Sequence, residues 1–196
     1  MTSDFINLVK SSRSYRRFDE SFHIDTGVIE NAVEVSRFTP STVNSQAIKY
    51  IIVNNKDDNE FMFGCLAFAG LLKGRGTPKE GERPSAYIII LCDNSIGVDK
   101  KIDEGIVAQT ILLSLAEQGL GGCMLGSIDR AKIASHFEID TSRYSIDLVL
   151  AIGKPDENVV LTDSENGESV AYYRDENGTH YVPKRKLSEL IIRKFE

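Results

Sequence analysis

The sequence predicts an α+β fold, one sheet with helices packed around it. Three observations carry this. Ala86 to Cys92 is an unbroken apolar run closed by Asp93-Asn94-Ser95, the pattern of a buried strand. Ile102 to Glu117 places Ile106, Val107, Thr110, Ile111, Leu113, Leu115 and Ala116 so densely that its helix is apolar nearly all round, covered by other elements or by a second subunit. Strands and helices are interleaved, but the strands are few and the helices long.

The other elements follow in order. Asp4 to Lys10 has helical spacing, with Thr2 and Ser3 as caps. Asp25 and Thr26 cap a second helix through Val28, Ile29, Ala32, Val33 and Val35, which ends before Pro40. Tyr50 to Val53 reads as a buried strand, Glu60 to Leu72 as an apolar helical segment, and Gly70 to Pro84 as an exposed loop. Gly119 caps the long helix, Gly121 to Leu125 forms a short strand, and Asp129 caps a helix from Arg130 to Phe137. Ile146 to Ile152 is a core strand stopped by Gly153-Lys154-Pro155. Asp175-Glu176-Asn177-Gly178, between Val170–Arg174 and Thr179–Val182, predicts a hairpin. A last helix is predicted over about Ser188 to Phe195.

Composition bounds the function. The 196 residues suffice for one ordinary domain, and 41% hydrophobic with 27% charged residues is a globular balance. A net charge of −6 argues against a nucleic-acid surface while leaving local basic clusters where an anion can bind. Cys65, Cys92 and Cys123 are unpaired in spacing and lie in apolar runs, which predicts buried, reduced thiols. No apolar segment follows the polar start, so the expectation is a cytoplasmic protein without signal peptide or membrane span. His23, His136 and His180 fall in no metal-ligand pattern, and no nucleophile elbow or P-loop is present, so no metal is expected and any chemistry belongs to a cofactor.

Four segments bear on that cofactor. Arg13, Ser14, Arg16 and Arg17 offer guanidinium forks and a hydroxyl to a phosphate; taken alone they read as a solvated basic turn. Pro40-Ser41-Thr42-Val43-Asn44-Ser45-Gln46 offers carboxamides suited to the edge of a flat ring with alternating carbonyl and N–H groups, or a polar loop leading into the next strand. Gly126-Ser127 follows a short strand, where a backbone N–H can approach a ring without side-chain obstruction. The glycines at 119, 121 and 122 follow a helix and open a strand, the reverse of a dinucleotide fingerprint. Lys184-Arg185-Lys186 is a second phosphate clamp or three solvated charges.

In combination, Arg13-Ser14-Tyr15-Arg16-Arg17-Phe18, Pro40-Ser41 with Asn44 and Gln46, Asp103 to Gly126, and Ala151-Ile152-Gly153-Lys154-Pro155 resemble the FMN-dependent nitroreductase family over about Phe5 to Leu190. The resemblance implies a three-layer α-β-α sandwich with a central, mainly antiparallel sheet. It implies a single FMN-binding domain over 1–196 with a hairpin insertion around 157–182, and a homodimer with FMN at the subunit interface. By motif, Ser12, Arg13, Ser14 and Arg16 would hold phosphate and ribityl groups, and Pro40, Ser41, Asn44 and Gln46 would meet the flavin from one side. Leu125, Gly126 and Ser127 would lie at its reactive edge, and Lys184 and Arg185 would complete the phosphate site. The implied activity passes a hydride from NAD(P)H through flavin N5 to a small acceptor such as a nitroaromatic, quinone or enone. The alternatives are a flavin-binding module without NAD(P)H turnover, or a specialised member performing reductive dehalogenation or flavin fragmentation. Ala47-Ile48 stands where many members have Pro-Trp, and the 70–83 loop and 157–182 region are expected to set specificity.

Overall fold

The computed structural model describes residues 4–72, 76–96 and 101–196. Thr2 and Ser3 lie outside them. Along the chain run α1 (Asp4–Ser11), α2 (Thr26–Ser36), β1 (Ile48–Val53), α3 (Lys56–Gly64), β2 (Ala86–Asp93), α4 (Lys101–Glu117), β3 (Gly121–Leu125), α5 (Arg130–His136), β4 (Tyr144–Gly153), β5 (Val159–Ser164), β6 (Tyr173–Arg174), β7 (His180–Arg185) and α6 (Leu187–Leu190). The first four strands form an antiparallel sheet in the order β1-β2-β4-β3. Every residue of β2 is buried, which its unbroken apolar run requires, because both faces of a central strand are covered.

The two-residue period of the strands divides the core. Ile88 and Ile90 point with Leu150 and Ile152 to one face, where Ile29 and Ala32 of α2 and Ile111 and Leu115 of α4 pack. Tyr87, Ile89 and Leu91 point with Val149 and Ala151 to the other, against Met62 of α3 and Ile133 of α5. The result is the expected α-β-α sandwich. Local chemistry fixes its helix ends. The Asp25, Asn55 and Asp129 side chains accept from Gly27 N, Asp58 N and Lys132 N at 2.8, 3.0 and 3.2 Å. Gly119, at φ +74°, ends α4 with the paired bonds Gly119 N–H to Ala116 O and Leu120 N–H to Leu115 O.

Four expectations are revised. The segment over Glu60 to Leu72 begins its helix earlier, at Asn55's cap, and stops at Gly64. The Gly70 to Pro84 loop is not wholly exposed: Leu72, Pro78 and Pro84 are buried, while 73–75 lie outside the described residues. The 157–182 region is more than a hairpin. β6 and β7 pair antiparallel around Asp175–Gly178 as expected, but β5 adds to the other edge of β7 in parallel, with Val159 opposite His180. The final helix covers only Leu187–Leu190, not Ser188 to Phe195. Ile192 and Phe195 are 97% and 87% exposed; an apolar stripe with nothing to pack against does not hold so short a helix.

Candidate functional site

The N-terminal basic segment is laid along β3. Ser14 bridges Gly122 in parallel, and Tyr15 N–H donates to Gly122 O at 3.1 Å. Glycine is required there. A Cβ at Gly121 would stand 2.6 Å from the Tyr15 ring, and one at Gly122 2.7 Å from Ala151 O. Ser12 is buried and Arg13 and Arg16 are half-buried, the Arg13 guanidinium donating to Val9 O and the Arg16 guanidinium to Ser14 O. Their Nε atoms are shielded from solvent and have no hydrogen-bond partner. Burial presses the Arg13 guanidinium below its ordinary value, against a smaller opposing effect of Tyr15.

The segment is held from behind by a buried carboxylate. Glu157 accepts from Arg16 N at 2.9 Å, from the Arg174 guanidinium, and pairs with His180 Nδ1 at 3.1 Å. Burial works against its ionisation, but these partners together outweigh it and hold the carboxyl at about 2. The Arg16 guanidinium lies 5.0 Å from the Tyr172 ring centre. Glu157 had no local signal in the sequence, since its partners lie 17 to 141 residues away.

Leu125, Gly126 and Ser127 stand at the far end of the same strand, about 13 Å from Gly122. Leu125 is buried; Gly126 and Ser127 are exposed, and there is open space where a Gly126 side chain would stand. The basic segment and an unobstructed backbone edge therefore lie along one strand.

The amide loop lies elsewhere in the chain. It leads into β1, three strand spacings or about 14 Å across the sheet from β3. Buried Asp103, in the first turn of α4, accepts from Thr42 N and Thr42 Oγ1 at 3.0 and 2.9 Å. Ser41 Oγ accepts from Gln46 N, and Gln46 Nε2 donates to Asn44 Oδ1 at 3.3 Å. Val43, Asn44 and Gln46 all have φ near +50°, strained for side chains other than glycine. Pro40, Asn44 and Gln46 are exposed. Among the described residues no hydrogen bond or ion pair joins this loop to the arginines. Ala47 is fully buried, so of the Ala47-Ile48 pair only Ile48 reaches a surface. Lys184 and Arg185 end β7, about 13 to 17 Å beyond His180, and Arg185 pairs with Glu189 at 3.2 Å.

Cys92, Glu104 and Asp147 bring three metal-ligand atoms within 4.8 Å of one another, a grouping that local spacing cannot reveal because the residues sit on β2, α4 and β4.

The nitroreductase family model matches residues 97–154, which contain α4, β3, α5 and β4. A Desulfovibrio desulfuricans nitroreductase-type structure solved with FMN superposes with a TM-score of 0.72 at 18% identity, covering 100% of this chain and 99% of that one. The chain has the nitroreductase fold. A nitroreductase family protein from Streptococcus pneumoniae TIGR4 shares that fold with a TM-score of 0.69 at 17% identity, over 97% of this chain and 100% of the other. In sequence, YdgI of Bacillus subtilis strain 168, named for NAD(P)H nitroreductase activity, is 22% identical over 78% of this chain and 89% of its own. Among the described residues no helix of this nitroreductase fold is long and apolar enough to cross a membrane.

Proposed function

We propose that this protein is an FMN-dependent oxidoreductase that takes hydride from NAD(P)H and passes it to a small acceptor such as a nitroaromatic, quinone or enone. The observation that carries the reading is the pair of buried, unpartnered Nε donors of Arg13 and Arg16, on the segment bridged to the strand that leads to open Gly126. Orphaned donors of this kind are rare in folded proteins, and phosphate oxygens are the acceptors that suit guanidinium donors. The FMN in the Desulfovibrio structure and the name of the Bacillus relative support the same reading.

In it, Ser12, Arg13, Ser14 and Arg16 hold the phosphate and ribityl groups, with Lys184 and Arg185 adding charge, and Leu125, Gly126 and Ser127 border the ring. Bound FMN supplies reversible hydride acceptance at N5. The chain's own work is to bind and orient: the arginines hold the anionic tail, Glu157 fixes the backbone of Arg16, and Gly126 keeps the ring edge clear. One open face serving donor and acceptor in turn gives ping-pong kinetics. The test is an absorbance spectrum of fresh protein followed by anaerobic NADH or NADPH. We expect an oxidised-flavin spectrum that bleaches. Flavin that stays yellow sinks the turnover reading, and failure to bind added FMN sinks the site.

We further infer a homodimer in which Pro40, Ser41, Asn44 and Gln46 meet the flavin of the second copy. Two features support it. The amide loop is remote from its own arginines. Apolar side chains are also left uncovered: Phe5 on α1, Ile102 on α4, and Leu187, Ile192 and Phe195 at the C-terminus are 64%, 72%, 69%, 97% and 87% exposed. Light scattering at micromolar concentration should give twice the chain mass, and Ile192→Asp should shift the population toward monomer. A wild-type monomer that retains FMN would overturn the interfacial site.

A further inference from the structure

Buried polar atoms without a partner also gather at a second place, which the flavin reading does not use. Asn54 Oδ1, Asn59 Oδ1, Arg83 Nε, Ser85 Oγ and Tyr87 OH are all shielded from solvent and unbonded. All five residues line one cavity of about 450 Å³, within the size range of small-molecule sites. Asn54 follows the last residue of β1, and Ser85 and Tyr87 stand at the start of β2. The cavity is therefore at the opposite end of the β1–β2 pair from the amide loop, about 20 Å away along β1.

The chemistry of the five atoms specifies an occupant. Asn54 Nδ2 is spent on Ile24 O and Thr26 Oγ1, and Asn59 Nδ2 on Ser85 O. Their Oδ1 atoms are therefore fixed as acceptors needing donors. Arg83 Nε is a donor only, and the two hydroxyls serve either way. Tyr87 is fully buried, and burial raises its phenol well above the ordinary value, so the hydroxyl stays neutral. Charges on the lining are equal in number, Glu20 and Glu60 against Lys56 and Arg83, and Glu20 already accepts from Gly81 N and Arg83 N. Phe22 and Phe63 add aromatic faces, the Arg83 guanidinium lying 4.6 Å from the Phe63 ring centre. An ion has nothing to neutralise here, and an apolar guest would leave all five atoms unsatisfied.

We propose that this cavity binds a small, uncharged, planar cyclic amide of the uracil or xanthine kind. Such a ring presents N–H donors to the asparagine oxygens and carbonyl acceptors to Arg83 and Tyr87, and its flat body suits the aromatic walls. The site is independent of the flavin reading, and no reaction is implied.

The experiment is titration of the purified, FMN-supplemented full chain with uracil, xanthine and, separately, inorganic phosphate. Binding is read by calorimetry and saturation-transfer NMR. Saturable binding of uracil or xanthine is expected, weakened about tenfold in Tyr87→Phe and in Ser85→Ala, with flavin content unchanged. Each variant removes a hydroxyl without enlarging a side chain; thermal melts verify folding, and either one suffices if the other unfolds. Four outcomes overturn the proposal: no saturable binding up to about 10 mM, which leaves a water-filled cavity; equal affinity in wild type and variants; displacement of FMN by the probe; or phosphate binding more tightly than either amide.

Discussion

Arg13→Ala should weaken FMN binding by about 10- to 100-fold while leaving the melting temperature nearly unchanged. The two halves of that expectation come from different contacts. For the fold, the Arg13 guanidinium supplies one hydrogen bond, to Val9 O within its own helix region. For an anion, it supplies a desolvated donor with no other partner, and charge-assisted bonds of this sort are about twice as strong as neutral ones. Titrating apoprotein with FMN and following the quenching of flavin fluorescence gives the affinity directly. Arg185→Ala should cost less, because Arg185 is shared with Glu189 and sits on an exposed strand end. Unchanged affinity in Arg13→Ala would remove the phosphate assignment, and a larger loss in Arg185→Ala would move it to the C-terminal segment.

Glu157→Gln should be the most damaging of the conservative changes, costing about 3 kcal/mol of stability at neutral pH. The carboxylate is fully buried, and three groups from distant parts of the chain depend on it. Removing its charge leaves Arg174 buried beside a neutral amide and loosens the backbone of Arg16. The pH dependence follows from the direction of the shift. The folded state holds this carboxyl at about 2, below the ordinary 4.5, so its contribution is complete above about pH 4.5 and disappears as pH falls toward 2. Wild type and variant should therefore converge in stability through that window when followed by denaturant titration. A gap that stays constant down to pH 2 would mean that the ionised form is not what stabilises the fold.

The sheet and its helices were legible because their signals are local. β2 is an apolar run that only a doubly covered strand explains, and Asp25, Asp129 and Gly119 announce helix ends by their own hydrogen-bonding habits. What was not legible depends on distant partners. Val159–Ser164 opens with β-branched residues, but its parallel pairing with residues 21 positions later depends on a partner that no local pattern names. Asp103 looks like an exception on an apolar helix until Thr42 meets it from 61 residues away. Ile191 to Phe195 carries helical spacing, yet spacing forms a helix only when another surface covers it. The candidate site divides the same way: the arginines and Gly126 could be chosen from their residue types, whereas the carboxylate that fixes Arg16 could not.

The sequestration of the thiols bears on what such a protein can survive. Cys65, Cys92 and Cys123 are 6%, 1% and 2% exposed, and burial raises Cys65 and Cys123 above the ordinary thiol value, away from the thiolate that attacks electrophiles. Quinones and enones alkylate thiolates readily. With the acceptors proposed above, a chain that presents no reactive cysteine would be protected from being consumed by its own substrates.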